Sequence, residues 1–206
     1  MQTGSVLLAT GAGTMIAHAA RAITPSATAG PFYPPKYPLD SDADLVTVAG
    51  QDRDASGDIA HLFGAVYDSA GTPVKDVVVE IWQCDAFGFY HHPRDRGDQA
   101  DARFQGFGKD TVNQNGEFHF RTIKPVSYPG RTPHIHFLVR SNHTLHLVSQ
   151  LYVKNEPRNQ SDGLYLAIPE ERRASVTTEF VEAQARHSWI SEPGALAAKF
   201  DIVLGV

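Results

Sequence analysis

The densest chemistry in the chain lies in residues 127–137, SYPGRTPHIHF, which carry a phenol at Tyr128, a guanidinium at Arg131 and imidazoles at His134 and His136. Side chains alternate faces along a β-strand, so His134 and His136 point the same way with Cα atoms roughly 6.6 Å apart, while Ile135 and Phe137 face the other side. Two imidazoles so placed can meet one metal ion. Pro129-Gly130 and Pro133 forbid a continuing helix and bend the chain, which lets Tyr128 return toward the same point. A second phenol, Tyr90 in GFYHH, completes the candidate set Tyr90, Tyr128, His134 and His136.

An ordinary phenol ionises near pH 10, so a tyrosinate at neutral pH needs a strongly Lewis-acidic partner. Ferric iron suits such a set better than zinc. Two tyrosinates and one further small anion would neutralise it in a low-dielectric pocket, and a dianionic catecholate could replace that anion and one tyrosinate at no change in charge. The adjacent His91 and His92 suggest the rival, a histidine-rich zinc or copper site shared with His134 and His136. No His-Glu-x-x-His run is present, which argues against a zinc protease.

With these residues in view, the chain resembles the intradiol aromatic ring-cleavage dioxygenases of the protocatechuate 3,4-dioxygenase and catechol 1,2-dioxygenase kind. The matching stretches are TPSATAGPFYPP (24–35), VEIWQCDAFGFYHH (79–92), FRTIKPVSYPGRTPHIHF (120–137), SQLY (149–152) and KFDIVLG (199–205). The resemblance implies non-haem Fe(III) and cleavage of a catechol, protocatechuate, hydroxyquinol or related ring with O2 to a cis,cis-muconate-type diacid. It makes Tyr90 the tyrosinate that stays bound, Tyr128 the axial one that leaves and takes a substrate proton, and His134 and His136 the axial and equatorial imidazoles. Arg131 would stabilise charge on the ring and Gln150 would orient the oxygenated intermediate. Trp82, Thr28, Gly30 and Pro31 would line the substrate pocket, and Asp95 would stand near the released phenol. Only five residues separate Tyr128 from His134, a shorter excursion than the protocatechuate enzymes carry, which implies a more open pocket. Here one chain bears both the arm of one subunit type and the ligands of the other, so a homo-oligomer or a self-sufficient monomer is expected. A second resemblance, of LFGAVYDSAGTPVKDVVVEIW to transthyretin-like sandwich modules, leaves a non-catalytic binding domain as the alternative.

The elements that must position these residues read as strands. LFGAVYD and VKDVVVEIWQCD, separated by Ser-Ala-Gly-Thr-Pro turn chemistry, predict a hairpin-like pair, and further strands fit 116–122, 134–140, 145–153 and 200–204. Short strands with turn signals between them predict a mainly β protein, an antiparallel transthyretin-like sandwich with long loops. Residues 169–187, opening Pro-Glu-Glu and free of glycine, predict one helical segment near the C-terminus. The proline-rich 24–35 reads as an ordered, extended arm.

With 206 residues, a single catalytic domain over 23–206 is expected. A formal charge of -5 without a basic run argues against nucleic acid or an anionic membrane as partner, and no apolar run approaches a membrane span. Residues 1–22 are small and apolar and end in signal-peptidase-like Ala-His-Ala and Ala-Arg-Ala, without a basic start. They predict either a signal remnant, which would send the protein to the periplasm or outside, or an N-terminal arm of a cytoplasmic protein. One cysteine, Cys84, excludes an internal disulfide.

Overall fold

The first strand, β1 (Ile59–Tyr67), sets the frame of one sheet. In the computed structural model, which describes residues 21–96, 98–142, 144–183, 190 and 192–206, it pairs antiparallel with β4 (Glu117–Ile123). It also pairs parallel with β9 (Leu196–Lys199) and β10 (Ile202–Val203), and β8 (Val181–Glu182) adds to β9. The other sheet runs β3 (Phe107–Thr111), β2 (Val78–Trp82), β5 (His134–Ser141), β6 (Thr144–Val153) and β7 (Thr177–Thr178), antiparallel except for β7.

The sheets meet through one face of each. Leu62 and Val66 of β1 and Phe118 and Phe120 of β4 join Val79, Ile81, Ile135, Phe137, Val139 and Leu151 in a single apolar core. Each large side chain fully buried there contributes about 1.5–3 kcal/mol. Since Ile135, Phe137 and Val139 turn inward, strand alternation puts His134, His136 and Leu138 on the outer face. That outer face is itself covered: all three are buried, under an extended arm of residues 24–37 and the loops that follow β2 and β4.

The signal-like stretch lies outside the described residues up to position 20. Two expectations need correction. β1 and β2 do not form a hairpin. At Phe63 both edges of β1 are taken, by His119 of β4 and Lys199 of β9, so after the turn the chain crosses to the other sheet, where β2 finds free edges. The helix expected over 169–187 is confined to α2 (Glu170–Arg173) and a 3-10 turn at Ala174–Val176. Thr177 and Thr178, β-branched residues, instead pair as β7 with the end of β6, and 184–187 lie outside the described residues. β3, FGKDT, has little strand character by itself and owes its conformation to the free edge of β2. Among the described residues no helix is long and apolar enough to cross a membrane.

Candidate metal centre and active site

Register places the outer-face side chains. Trp82 of β2 and Gln150 of β6 flank His136 on either side, and Tyr152 stands opposite His134. The Trp82 indole lies flat on the His136 ring, centroids 5.0 Å apart and planes 9° apart. The Nδ1–H of His134 donates to the Thr132 carbonyl at 2.7 Å, which leaves Nε2 as the lone-pair nitrogen. That Nε2 stands 3.2 Å from Nε2 of His136. Both imidazoles are neutral at physiological pH: burial and then the Arg131 charge bring His134 down to about 4, and burial, His134 and Arg131 hold His136 well below its usual range.

The two phenols arrive on turns. Asp85 folds the loop after β2 by accepting the amides of Phe87, Phe89 and Asp101, and Asp95 accepts the Tyr90 amide at 2.8 Å. Tyr90 is thereby buried, edge-on to Tyr128 with centroids 5.6 Å apart. Tyr128 opens a turn closed by the Arg131 amide on its carbonyl at 3.0 Å. Gly130 occupies the third position at φ +82°, a conformation that glycine adopts without steric cost. The Tyr128 ring packs against His134 at 5.5 Å.

The donor set fits a ferric ion. The Tyr90 hydroxyl and the His136 Nδ1 are buried with no hydrogen-bond partner among the described residues, and an orphaned polar atom costs about 1–3 kcal/mol. A cation between the two Nε2 atoms would fix His136 as the Nδ1–H tautomer and give the Tyr90 oxygen its missing partner. Burial and the Tyr128 phenol beside it raise the Tyr90 hydroxyl well above 10. Burial also raises Tyr128, against the opposing pull of Arg131. Two phenols so disposed ionise only for a strong Lewis acid.

Arg131 and Gln150 sit at the edge of this set. The Arg131 guanidinium donates to Asp162 at 2.8 Å, to the Tyr128 hydroxyl at 3.3 Å and to the Gln150 side-chain oxygen. Gln150 in turn donates to the Thr28 carbonyl at 3.0 Å. The arm is bound along β6 by Ala27 to Val148 and by Ser149 to Pro25. Gly30, at φ +69°, packs its backbone on His136, where a Cβ would meet Cε1 at 3.3 Å. Pro31 is exposed, and Phe32 stacks on Tyr90 at 4.6 Å. A cavity of about 690 Å³ shares Phe32, Trp82 and Tyr90 with this site but is not lined by His134, His136 or Arg131.

His91 and His92 do not join the histidine pair. His91 bonds the Asp101 carbonyl and His92 accepts the Arg94 amide, and no cluster of three or more His, Cys, Asp or Glu side chains able to hold a metal exists among the described residues. Asp95 braces the Tyr90 backbone. Sequence reasoning missed Asp162, Thr132, Tyr152 and the aromatic pair Phe32 and Tyr33. Asp162 had a local signal, since an Asp before Gly-Leu-Tyr-Leu is a helix N-cap pattern, and its carboxylate does accept the Leu164 and Tyr165 amides of α1 (Gly163–Leu166).

The family model described as "Dioxygenase" matches residues 28–205. The protocatechuate 3,4-dioxygenase beta chain of Burkholderia cepacia is 33% identical over 172 residues, covering 79% of this chain and 71% of that one. Catechol 1,2-dioxygenase 1 of Acinetobacter lwoffii is 29% identical over 160 residues, covering 69% of this chain and 50% of that one. The chain spans about half the length of such catechol and hydroxyquinol 1,2-dioxygenases. Among solved structures, the dioxygenase domain of a dioxygenase carbohydrate-binding protein fusion from Streptomyces sp. SirexAA-E aligns with a TM-score of 0.66 at 28% identity, covering 90% of this chain and 99% of that one. Catechol 1,2-dioxygenase from Acinetobacter sp. ADP1 aligns with a TM-score of 0.68 at 25% identity, covering 88% and 62%. The length of the match and the 33% identity together establish that this chain belongs to the intradiol ring-cleavage dioxygenases.

Proposed function

We propose that the chain is a non-haem Fe(III) intradiol dioxygenase that opens a catechol-type ring with O2 to a cis,cis-muconate-type diacid. The observation that carries this reading is the meeting of Tyr90, Tyr128, His134 and His136 on one covered sheet face, with the two Nε2 atoms 3.2 Å apart. When bound, ferric iron supplies chelation of the catecholate and activation of its ring toward O2.

The chain's own groups do the rest. Tyr90, wedged under Phe32, is the phenol that stays. Tyr128 is half-buried and bonded to Arg131, so it is the phenol free to move and accept a substrate proton as it does. The guanidinium is held in place before any substrate arrives, and its charge stabilises electron density gathering on the ring. Gln150, tied to both Arg131 and the arm, orients the reacting group. Arm residues Thr28, Gly30 and Phe32, with Trp82 beneath, wall off water and set the ring plane. Because the arm belongs to the same chain as the ligands, each subunit carries a whole site, whatever its oligomeric state.

The Burkholderia relative is named for protocatechuate and others for catechol and hydroxyquinol. The short 129–133 link favours a pocket open to catechols as a class. A visible spectrum with an iron assay, repeated after anaerobic addition of catechol, protocatechuate and hydroxyquinol and then after O2, tests the proposal. A tyrosinate-to-iron band that shifts with the catechol, followed by a muconate-type product, is expected. A protein that stays colourless after ferric reconstitution, or one that binds zinc instead, would overturn it.

A further inference from the structure

The fully buried carboxylate of Asp162 lies outside the ligand set, yet it touches both halves of the site. One oxygen, Oδ2, accepts Nε of Arg131 at 2.8 Å and the Thr132 amide at 2.9 Å. The other, Oδ1, accepts the Leu164 and Tyr165 amides at 2.9 and 3.0 Å. Thr132 is the residue whose carbonyl takes the His134 Nδ1–H, and its hydroxyl is held by Asn159 at 2.8 Å. We infer that Asp162 is a positioning residue that sets Arg131 against His134, so that the fixed cation of the site and one imidazole are held by the same carboxylate.

The geometry leaves little alternative use for the group. A side chain with no exposed surface and four N–H donors has every lone pair engaged, so it is neither a proton carrier nor a ligand held in reserve. Burial alone would raise its pKa. The Thr132 and Tyr165 amides together with Arg131 outweigh that and hold it below the ordinary range, so it stays anionic. An anion anchored by two amides at the first turn of α1 cannot follow Arg131 if the guanidinium swings, whereas without it Arg131 would still bond Tyr128 and Gln150. Tyr128 is the group that has to move during turnover. Asp162 is therefore an Arg131 partner tied to a helix, where Tyr128 is a moving group and Gln150 a substrate-facing one. The inference rests on the reading of Arg131 under the proposed function.

The test is a double-mutant cycle on the iron-loaded enzyme, with catechol as substrate. Asp162→Asn leaves an acceptor for the α1 amides but turns an amide N–H toward Arg131 and Thr132. It is expected to lower kcat about 10- to 100-fold with a smaller change in KM, and to change kcat by less than about 3-fold when Arg131 is already Ala. In metal-free protein, faster hydrogen exchange of the Thr132 amide is expected in the same variant. Equal losses in the two backgrounds, or an unaltered Thr132 amide, would overturn the inference. If the Asn variant does not fold, Asp162→Ser, which keeps a capping hydroxyl, takes its place in the cycle. Failure of both to fold would make Asp162 purely structural and overturn the inference too. A wild-type protein without ring-cleaving activity would instead refute the proposed function, leaving the Thr132 exchange result to stand by itself.

Discussion

The Nε2 atoms of His134 and His136 stand 3.2 Å apart on one side of β5, and among the described residues His134 alone of the two has its second nitrogen bonded, to the Thr132 carbonyl. Two neutral, buried lone-pair nitrogens facing each other have no favourable arrangement unless one carries a proton between them or a cation joins them.

Under the proposed ferric site, removing a donor should remove the metal. His136→Ala and Tyr90→Phe are each expected to lose stoichiometric iron and the visible band, measured by metal analysis and absorption. Retained iron with full turnover in either variant would refute their role as ligands.

Gly30→Ala tests the fit of the arm. Its backbone is at φ +69° and a Cβ would crowd His136 at 3.3 Å, so the variant should lose about 1–2 kcal/mol from the left-handed conformation alone. A lower Tm together with a raised KM is expected. An unchanged Tm would mean that the arm is not held in this conformation.

Glu80 anchors that arm from below. Its buried carboxylate accepts the Tyr33 hydroxyl at 2.8 Å, the Tyr37 hydroxyl at 3.0 Å and Nε of Arg140 at 2.6 Å. Glu80→Ala removes the shared acceptor of a guanidinium and of two phenols that still bond each other at 3.0 Å, and since Tyr37 and Arg140 are partly exposed the cost should be about 1–2 kcal/mol. Denaturant unfolding would measure it, and limited proteolysis should show earlier cleavage in residues 32–40. A loss under about 0.5 kcal/mol, as for a surface change, would contradict the assigned packing.

Two desolvated imidazoles, the buried His134 and the half-buried His119, make the metal-free protein acid-sensitive. His134 and His119 are both brought down to about 4, each by burial first, with Arg131 and His61 respectively adding to it. Unfolded, both titrate near 6.5. Between those values the unfolded chain binds more protons, so stability is complete above about 6.5 and falls as pH drops toward 4. The slope approaches about 1.4 kcal/mol per pH unit for the buried His134 and is smaller for the half-buried His119. Urea midpoints of apo-protein at pH 7, 6 and 5 should fall accordingly, and a flat profile would show these histidines to be solvated.

Part of this protein is decided by local chemistry and is readable without coordinates. The period of two in PHIHF places His134 and His136 together and sends Ile135 and Phe137 to the core. Pro129-Gly130 specifies the turn that carries Tyr128. The β-branched runs announce the strands. Each of these depends on residues within a few positions of one another. What the sequence does not carry is which strands become neighbours. The β1 and β2 segments have hairpin chemistry between them, yet β4, β9 and β10 fill both edges of β1, and burial in two facing sheets outweighs a local turn. The same holds for 169–187, where a free edge at the end of β6 takes Thr177 and Thr178 from a helix. The partners of the site are likewise tertiary facts. Asp162 reaches Arg131 across 31 positions, and Gln150 reaches Thr28 across 122. A hydrogen bond between residues so far apart in sequence exists only after the core has closed and brought the arm, the β5 strand and α1 to one face.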